Sequence, residues 1–421
     1  METSVAMILD DAKDIKANGW LSSARKKAAA RFHDSGLPKQ RDEYWKHTDP
    51  GQFQIGSVGD GPATEIPAGV PDMCPRATFR NGRVVELPQP GPNVPELATL
   101  GDAAADESHW GAGLYGSLEA RAQKTVVRGF AALNTRDAEH GILATTAPNT
   151  KQSLQIHYCS ESNGSKGILH HLIRVAPGSD LCLLEFGSVA GQANVVFEVD
   201  VMDGARFSHI RLQNKRKGRR SIEQVFARVG CGSSFNLFTL SADHKVVRND
   251  CVVELLGEGG EAHVSGAVVG ASGSHHDDTV LVVHDAANCR SRQVFKKVLS
   301  DGSVGVFQGK ILVRNKAQKT DGYQISKAML VGETGQFLAK PELEIYADDV
   351  VCSHGSTSGN ADADSLFYLR ARGIPERESL NLLALAFLAE TLEEISDKSE
   401  MEMIRQLMIE HLAEQGNVGR D

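Results

Sequence analysis

Turn clusters recur through the middle of this chain at a nearly constant interval. Pro177-Gly178-Ser179, Asp203-Gly204-Ala205, Cys231-Gly232-Ser233, Gly259-Gly260-Glu261 and Ala286-Ala287-Asn288 are centred 26, 28, 28 and 27 residues apart. Each precedes a β-rich run such as Leu181 to Phe186, Phe235 to Leu240 or Val280 to Val283. Alternation is clearest where Val247, Asn249, Cys251, Val253 and Leu255 interleave with Arg248, Asp250, Val252 and Glu254, as in strands with one face inside. A period near 27 without intervening helices fits one coil of a β-solenoid, two or three short strands plus turns. A meander or sandwich competes, but it needs only ordinary turns every ~8–12 residues and no longer beat. The solenoid is therefore preferred. Glycine, 41 of 421 residues, exceeds its usual share of about 7%, and glycines 178, 204, 232 and 260 give part of that excess a position.

The flanks have a different character. From about Val5 to Phe32 the pattern is helical, with Leu21, Ala24, Ala28 and Phe32 at helical spacing, and Gly36 and Pro38 break it. Eight of the 14 prolines lie between Gly56 and Pro95, which forbids a long helix, and Asn81-Gly82 between short β-prone runs marks a hairpin over Ala77 to Leu87. After Val351 the pattern again becomes helical. Asp362 or Asp364 suits an N-cap, Gly373 a C-terminal stop and Pro375 a first turn. A following helix is expected to bury Leu380, Leu383, Ala384 and Phe387, and a last one, about Glu400 to Glu414, carries Met401, Ile404, Leu407, Met408 and Leu412. These helices read either as a cap on the end of the solenoid or as a docking surface for a partner. The expected organisation is a helical region with a Pro/Gly-rich connection and a hairpin over 1–120, a β core over 121–350 and a helical domain over 351–421.

Composition excludes several classes. The apolar content is that of an ordinary globular chain. Lys+Arg 45 against Asp+Glu 54 gives a net charge of -9, which offers no general attraction to nucleic acid or anionic lipid. Seven cysteines without any CxxC, at 74, 159, 182, 231, 251, 289 and 352, fit a reducing compartment rather than a disulfide framework or structural zinc site. The acidic start, Met1 to Asp14, shows no secretory pattern, and the longest apolar run, Leu382 to Ala389, is eight residues against the ~20 that span a bilayer. A cytoplasmic protein that does not enter membranes is expected.

Few motifs carry chemistry. Gly309-Lys310 is followed by Ile311 and lacks a glycine five positions earlier, so no phosphate loop is present and the chain should not hydrolyse ATP alone; GxSxG and HExxH are also missing. Adjacent His170 and His171 would point to opposite faces of a strand and not chelate one ion. His275-His276-Asp277-Asp278 reads as a Gly/Ser-flanked polar turn that could gather metal ligands or simply be solvated. Cys352-Ser353-His354 follows an extended run, and i, i+2 spacing places thiol and imidazole on one face about 7 Å apart. Such an imidazole would lower the thiol pKa, and both groups suit soft or borderline metals. The plain alternative is a buried cysteine beside a surface histidine.

Three longer stretches carry a resemblance. Lys319-Thr320-Asp321-Gly322-Tyr323-Gln324, Pro341-Glu342-Leu343-Glu344-Ile345-Tyr346-Ala347-Asp348-Asp349-Val350-Val351-Cys352-Ser353-His354-Gly355 and Leu366-Phe367-Tyr368-Leu369-Arg370-Ala371-Arg372-Gly373-Ile374 together resemble the C-terminal signature of the SufB/SufD family of the Suf iron-sulfur cluster assembly system. Gly36-Leu37-Pro38 and Arg41-Asp42-Glu43-Tyr44-Trp45-Lys46-His47-Thr48-Asp49 resemble the opening segment of the SufD branch, with His47 where tyrosine is more usual. The resemblance implies a mainly β fold, a right-handed parallel β-helix flanked by α-helical regions. It implies a non-enzymatic scaffold subunit that pairs with SufB and binds the SufC ATPase. A homodimer of the isolated chain is the alternative pairing. Cys352 and His354 match family residues near the SufB–SufD interface, where a nascent, transient cluster forms, and the histidine is the stronger ligand candidate in the SufD branch. No cofactor would then be tightly bound by the isolated chain. Leu380, Leu383 and Phe387 become the candidate SufC dock. A purely structural adaptor without a ligand role, and a carbohydrate-active β-helix enzyme, are the competing functions. The latter suffers from having only 3 Trp and 6 Tyr.

Overall fold

A computed structural model describes residues 19–53, 74–160, 165–213, 218–242, 244–392, 398, 401, 402, 404–406, 408 and 409. Strand outweighs helix, 47% to 23%, and the strands wind into a β-solenoid of about 7 turns. From Lys151 onward successive strands alternate between two sheets, so each coil contributes one strand to either side. Pairing between coils is parallel: Asp180 lies opposite Arg206, Arg206 opposite Ser234, Ser234 opposite Glu261 and Glu261 opposite Arg290. The expected hairpin caps the first coil. Arg76–Arg80 and Arg83–Glu86 pair antiparallel about Asn81 and Gly82, both at positive φ.

The turn that sets the beat has one geometric requirement. Asn149, Gly178, Gly204, Gly232, Gly259, Asn288 and Lys319 all adopt φ between 55° and 70°, the left-handed region that a Cβ disfavours. The N–H of each donates to the next coil, as Gly178 does to Asp203, Gly204 to Cys231 and Gly232 to Glu258. In the fourth cluster the left-handed position belongs to Gly259 and not to Gly260. No atom lies within 4 Å of a Cβ built on Gly232, so Gly232→Ala should cost only the backbone term, about 1–2 kcal/mol. A lowered urea midpoint of the full chain would report it, and an unchanged midpoint would contradict the requirement.

Inside the coils, Phe197, Phe207, Phe235, Val253, Val282, Phe295 and Phe307 belong to one buried cluster. Both outer faces are covered too, which is why the strands are buried nearly throughout rather than on alternate residues. The nine-stranded sheet carries the N-terminal helices. Leu114, Tyr115 and Leu118 pack on Leu172, Val196, Phe226 and Val252, while Trp45, Phe53 and Phe130 pack on Ile222 and Val246. On the ten-stranded sheet, Ile210, Leu212, Phe238 and Leu240 receive Ala384, Leu388, Leu392, Ile404 and Met408. The C-terminal helical region therefore covers a sheet face instead of capping the solenoid end. Residues 1–18, Leu407 and Leu412 lie outside the described residues.

The sheets run past the bounds expected for the core. Val350–Asn360, placed in the helical domain by sequence, is the last strand of the ten-stranded sheet. Its outer edge and that of Gln336–Ile345 pair with no further strand among the described residues, and neither strand has a fully buried residue. The stack thus ends open, with two strand edges side by side.

Candidate functional site

Cys352 and His354 sit on that open end. In register, Cys352 lies opposite Gly322 and His354 opposite Gln324 of the preceding coil. Cys352 packs with Ile311, Leu343 and Ala347, so its side chain turns inward; His354, two residues on, shares that face. Gly322 makes this possible: a Cβ there would lie 3.2 Å from the Cys352 sulfur. His354 is exposed and Cys352 half-buried. Burial raises the thiol pKa, and the Gly322 N–H offsets this only in part. The imidazole does not offset that burial, and the arrangement is the plain alternative of a partly buried cysteine beside an exposed histidine. As a ligand the thiol would have to lose its proton, whereas the exposed imidazole binds as the neutral base.

The two histidine pairs picked out by sequence are packed into the fold. His170 and His171 do face opposite sides: His170 contacts Asn134 and Glu198 under the N-terminal helices, while His171 contacts Tyr158 inside. The expected turn at His275 is the start of strand His275–His284. That alternation separates His275 and Asp277 on the outer face from His276 and Asp278 on the inner one. Asp278 pairs with the buried Lys297, His276 is a buried neutral imidazole with its pKa lowered to about 3 by desolvation, and no cluster of three metal-ligating residues occurs among the described residues.

Arg41 to Asp49 proves to be a clamp. Trp45 stacks under the Arg248 guanidinium at 4.2 Å, Thr48 donates to Asp277 at 2.5 Å, and the Tyr44 hydroxyl donates to Glu342 at 2.5 Å. Lys340 bridges Glu43 at 2.8 Å and Glu342 at 2.6 Å. The segment thereby fastens the outer face of the last coils, including Gln336–Ile345 at the open end.

The C-terminal helices divide their apolar residues. On Glu376–Ala389, Ala384 and Leu388 are buried, whereas Leu380 and Phe387 are half-buried against the ten-stranded sheet and the Lys296 ammonium covers the Phe387 ring at 4.6 Å. Leu383 is half-buried. Asp362 caps Ala363–Ala371 through Ser365 N at 2.7 Å, as expected, but Pro375 precedes the next helix instead of opening its first turn. Ala363–Ala371 has no buried residue; Phe367 is 74% and Tyr368 57% exposed. Sequence reasoning had no reason to single these two out, because a hydrophobic periodicity does not say which face finds a partner within the chain. A groove of about 580 Å³ on the ten-stranded sheet is lined by Cys182, Ser208, Asn236 and His263, and neither Cys352 nor His354 borders it.

With the solenoid and its end established, the comparisons with known proteins become decisive. Residues 157–387, more than half the chain, match the model described as SUF system FeS cluster assembly, SufBD core domain. The chain belongs to the SufBD family. It is similar to the iron-sulfur cluster assembly protein SufD of Escherichia coli, 28% identical over 373 residues and 86% of either chain. It is also 28% identical over 213 residues to a SufBD family protein of Synechocystis, covering 51% of this chain and 47% of that one. Protein ABCI7, chloroplastic, of Arabidopsis thaliana is 29% identical over 213 residues, 50% of this chain and 45% of its own. This SufBD protein is thus a SufD homologue of the Suf iron-sulfur cluster assembly system. No described helix is long and apolar enough to cross a membrane.

Proposed function

We propose that this SufD homologue is a non-catalytic, cytoplasmic scaffold subunit that pairs with SufB through the open end of its solenoid and carries the SufC ATPase on its C-terminal helices. The observation that carries this reading is the pair of strand edges left unpaired among the described residues, Gln336–Ile345 and Val350–Asn360, with Cys352 and His354 on the second. Exposed flat edges invite uncontrolled pairing, and a dedicated partner removes that hazard. An iron-sulfur cluster takes about four protein ligands. Two from this chain leave the remainder to SufB, so the nascent cluster is a cargo shared across the interface and readily released. SufC docking is supported by the exposed Phe367 and Tyr368 and, on the next helix, by Leu382 at 42% exposure. Leu383 remains compatible with that dock, whereas Leu380 and Phe387 mainly hold the helix to the sheet.

Co-expression with SufB and SufC tests the proposal. A tagged chain should retain both partners, and the Phe367→Ala/Tyr368→Ala variant should retain SufB while losing SufC at least tenfold. Recovery of neither partner by the unmodified chain would contradict it.

A further inference from the structure

Gln324 lies one coil beneath His354, directly opposite it in the parallel register, and adjacent strands are about 4.8 Å apart. The two side chains therefore share the inward face of the last two coils. Gln324 is fully buried. Its amide lies in a notch at Gly309 of the facing sheet, where a Cβ would come within 2.6 Å of Oε1. Its Nε2 donates to the Gly309 carbonyl at 3.4 Å, while Oε1 has no donor among the described residues. A buried acceptor without a donor is destabilising, so a donor at that end of the solenoid would be drawn to it. The side chain next above in the same row is an imidazole, which carries a ring N–H in either neutral tautomer.

We propose that Gln324 is the positioning residue of the site: the exposed His354 ring, which makes no such contact in this structure, turns so that one ring N–H donates to the vacant Oε1. The imidazole is thereby held in one tautomer, with the other nitrogen turned out of the solenoid end as a lone-pair donor to incoming iron. This inference rests on the reading of His354 as a cluster ligand. Fixing the ring in this way is how outer partners of ligating histidines act, and losing one typically weakens metal binding about 10- to 100-fold. Gln293, the next residue down the row, is also a fully buried glutamine whose amide has no partner among the described residues. It cannot touch His354 past Gln324 and so serves as a control for the loss of a buried amide in itself.

The test uses the full chain labelled with ¹⁵N-histidine, the His354 ring signals being assigned by their absence in His354→Ala. One tautomer is expected in the unmodified chain and in Gln293→Met. In Gln324→Met the two ring nitrogens should move toward the averaged shifts of a mixed population, and Gln324→Glu, which keeps an acceptor in place, should restore the single tautomer. In the co-expressed complex, Gln324→Met should lower the yield of anaerobically reconstituted cluster at least tenfold, with circular dichroism unchanged. A mixed tautomer already present in the unmodified chain, or a tautomer indifferent to Gln324→Met, would overturn the proposal. The ligand reading fails separately: in that case His354→Ala leaves the cluster yield unchanged even though Gln324 still sets the tautomer.

Discussion

Replacing Asp277 with alanine is expected to destabilise the chain by about 3–5 kcal/mol, because it strands a buried cation. Asp277 is fully buried and accepts from Arg248 at 2.5 Å, Thr48 at 2.5 Å and Thr279 at 3.0 Å. Arg248 is itself buried, held between Asp277, the Trp45 ring and the Tyr44 carbonyl at 2.9 Å. Burial alone would raise the Asp277 pKa, but Arg248 and Thr48 outweigh it and the carboxyl is held below its ordinary range. A depressed folded value means that the stabilisation is complete above the unfolded pKa of ~3.9 and is lost as pH falls through the folded one. The transition should report first on the N-terminal clamp, since a stacked array need not unfold as one unit. Trp45 fluorescence during urea unfolding is the direct readout. Asp277→Leu combined with Arg248→Met should recover much of the loss, because a packed apolar pair replaces a buried ion pair at little cost. An Asp277→Ala variant with an unchanged midpoint would show that the clamp contributes nothing.

What the sequence disclosed, and what it hid, follows from which interactions are local. The 27-residue beat was readable because a left-handed turn selects glycine or asparagine at a fixed place in each coil. It faded after Asn288 because the next coil puts Lys319 in that position. Val350–Asn360 falls past the expected core bound although Cys352-Ser353-His354 reads as extended, and its Ser353, Ser356, Thr357 and Ser358 lack the apolar alternation of a covered strand because no further described strand pairs with its outer edge. His275 to Asp278 resembled a solvated turn because both faces of that strand are polar: one meets Thr48 and Arg248, the other Lys297. Neither neighbourhood is local, since Thr48 is 229 positions from Asp277. At the site, spacing alone put Cys352 and His354 on one face, and only the resemblance gave that face a purpose. The thiol's raised pKa comes from burial against Ile311 and Leu343, contacts made by other coils, with the Gly322 N–H opposing it.

The larger functional effect is expected at His354. Its side chain is exposed on a strand that already pairs along its other edge, so alanine should leave fold and complex formation intact. Loss of the imidazole removes an exposed nitrogen ligand at the open end, and Cys352, whose thiol pKa is raised by burial, is a poor substitute. A shared site that loses one of about four ligands should hold less than a tenth of the cluster, a free-energy change of at least ~1.4 kcal/mol. Cys352→Ser should have the smaller effect. The deciding measurement is anaerobic iron-sulfur reconstitution of the co-expressed SufB–SufC–SufD-type complex, followed by visible absorption, with the unmodified chain and His354→Ala compared at equal subunit stoichiometry. The complex should stay intact while its cluster absorption falls at least tenfold in the variant. Equal absorption in the two complexes would remove His354 from cluster assembly and leave this chain as a structural adaptor for the ATPase.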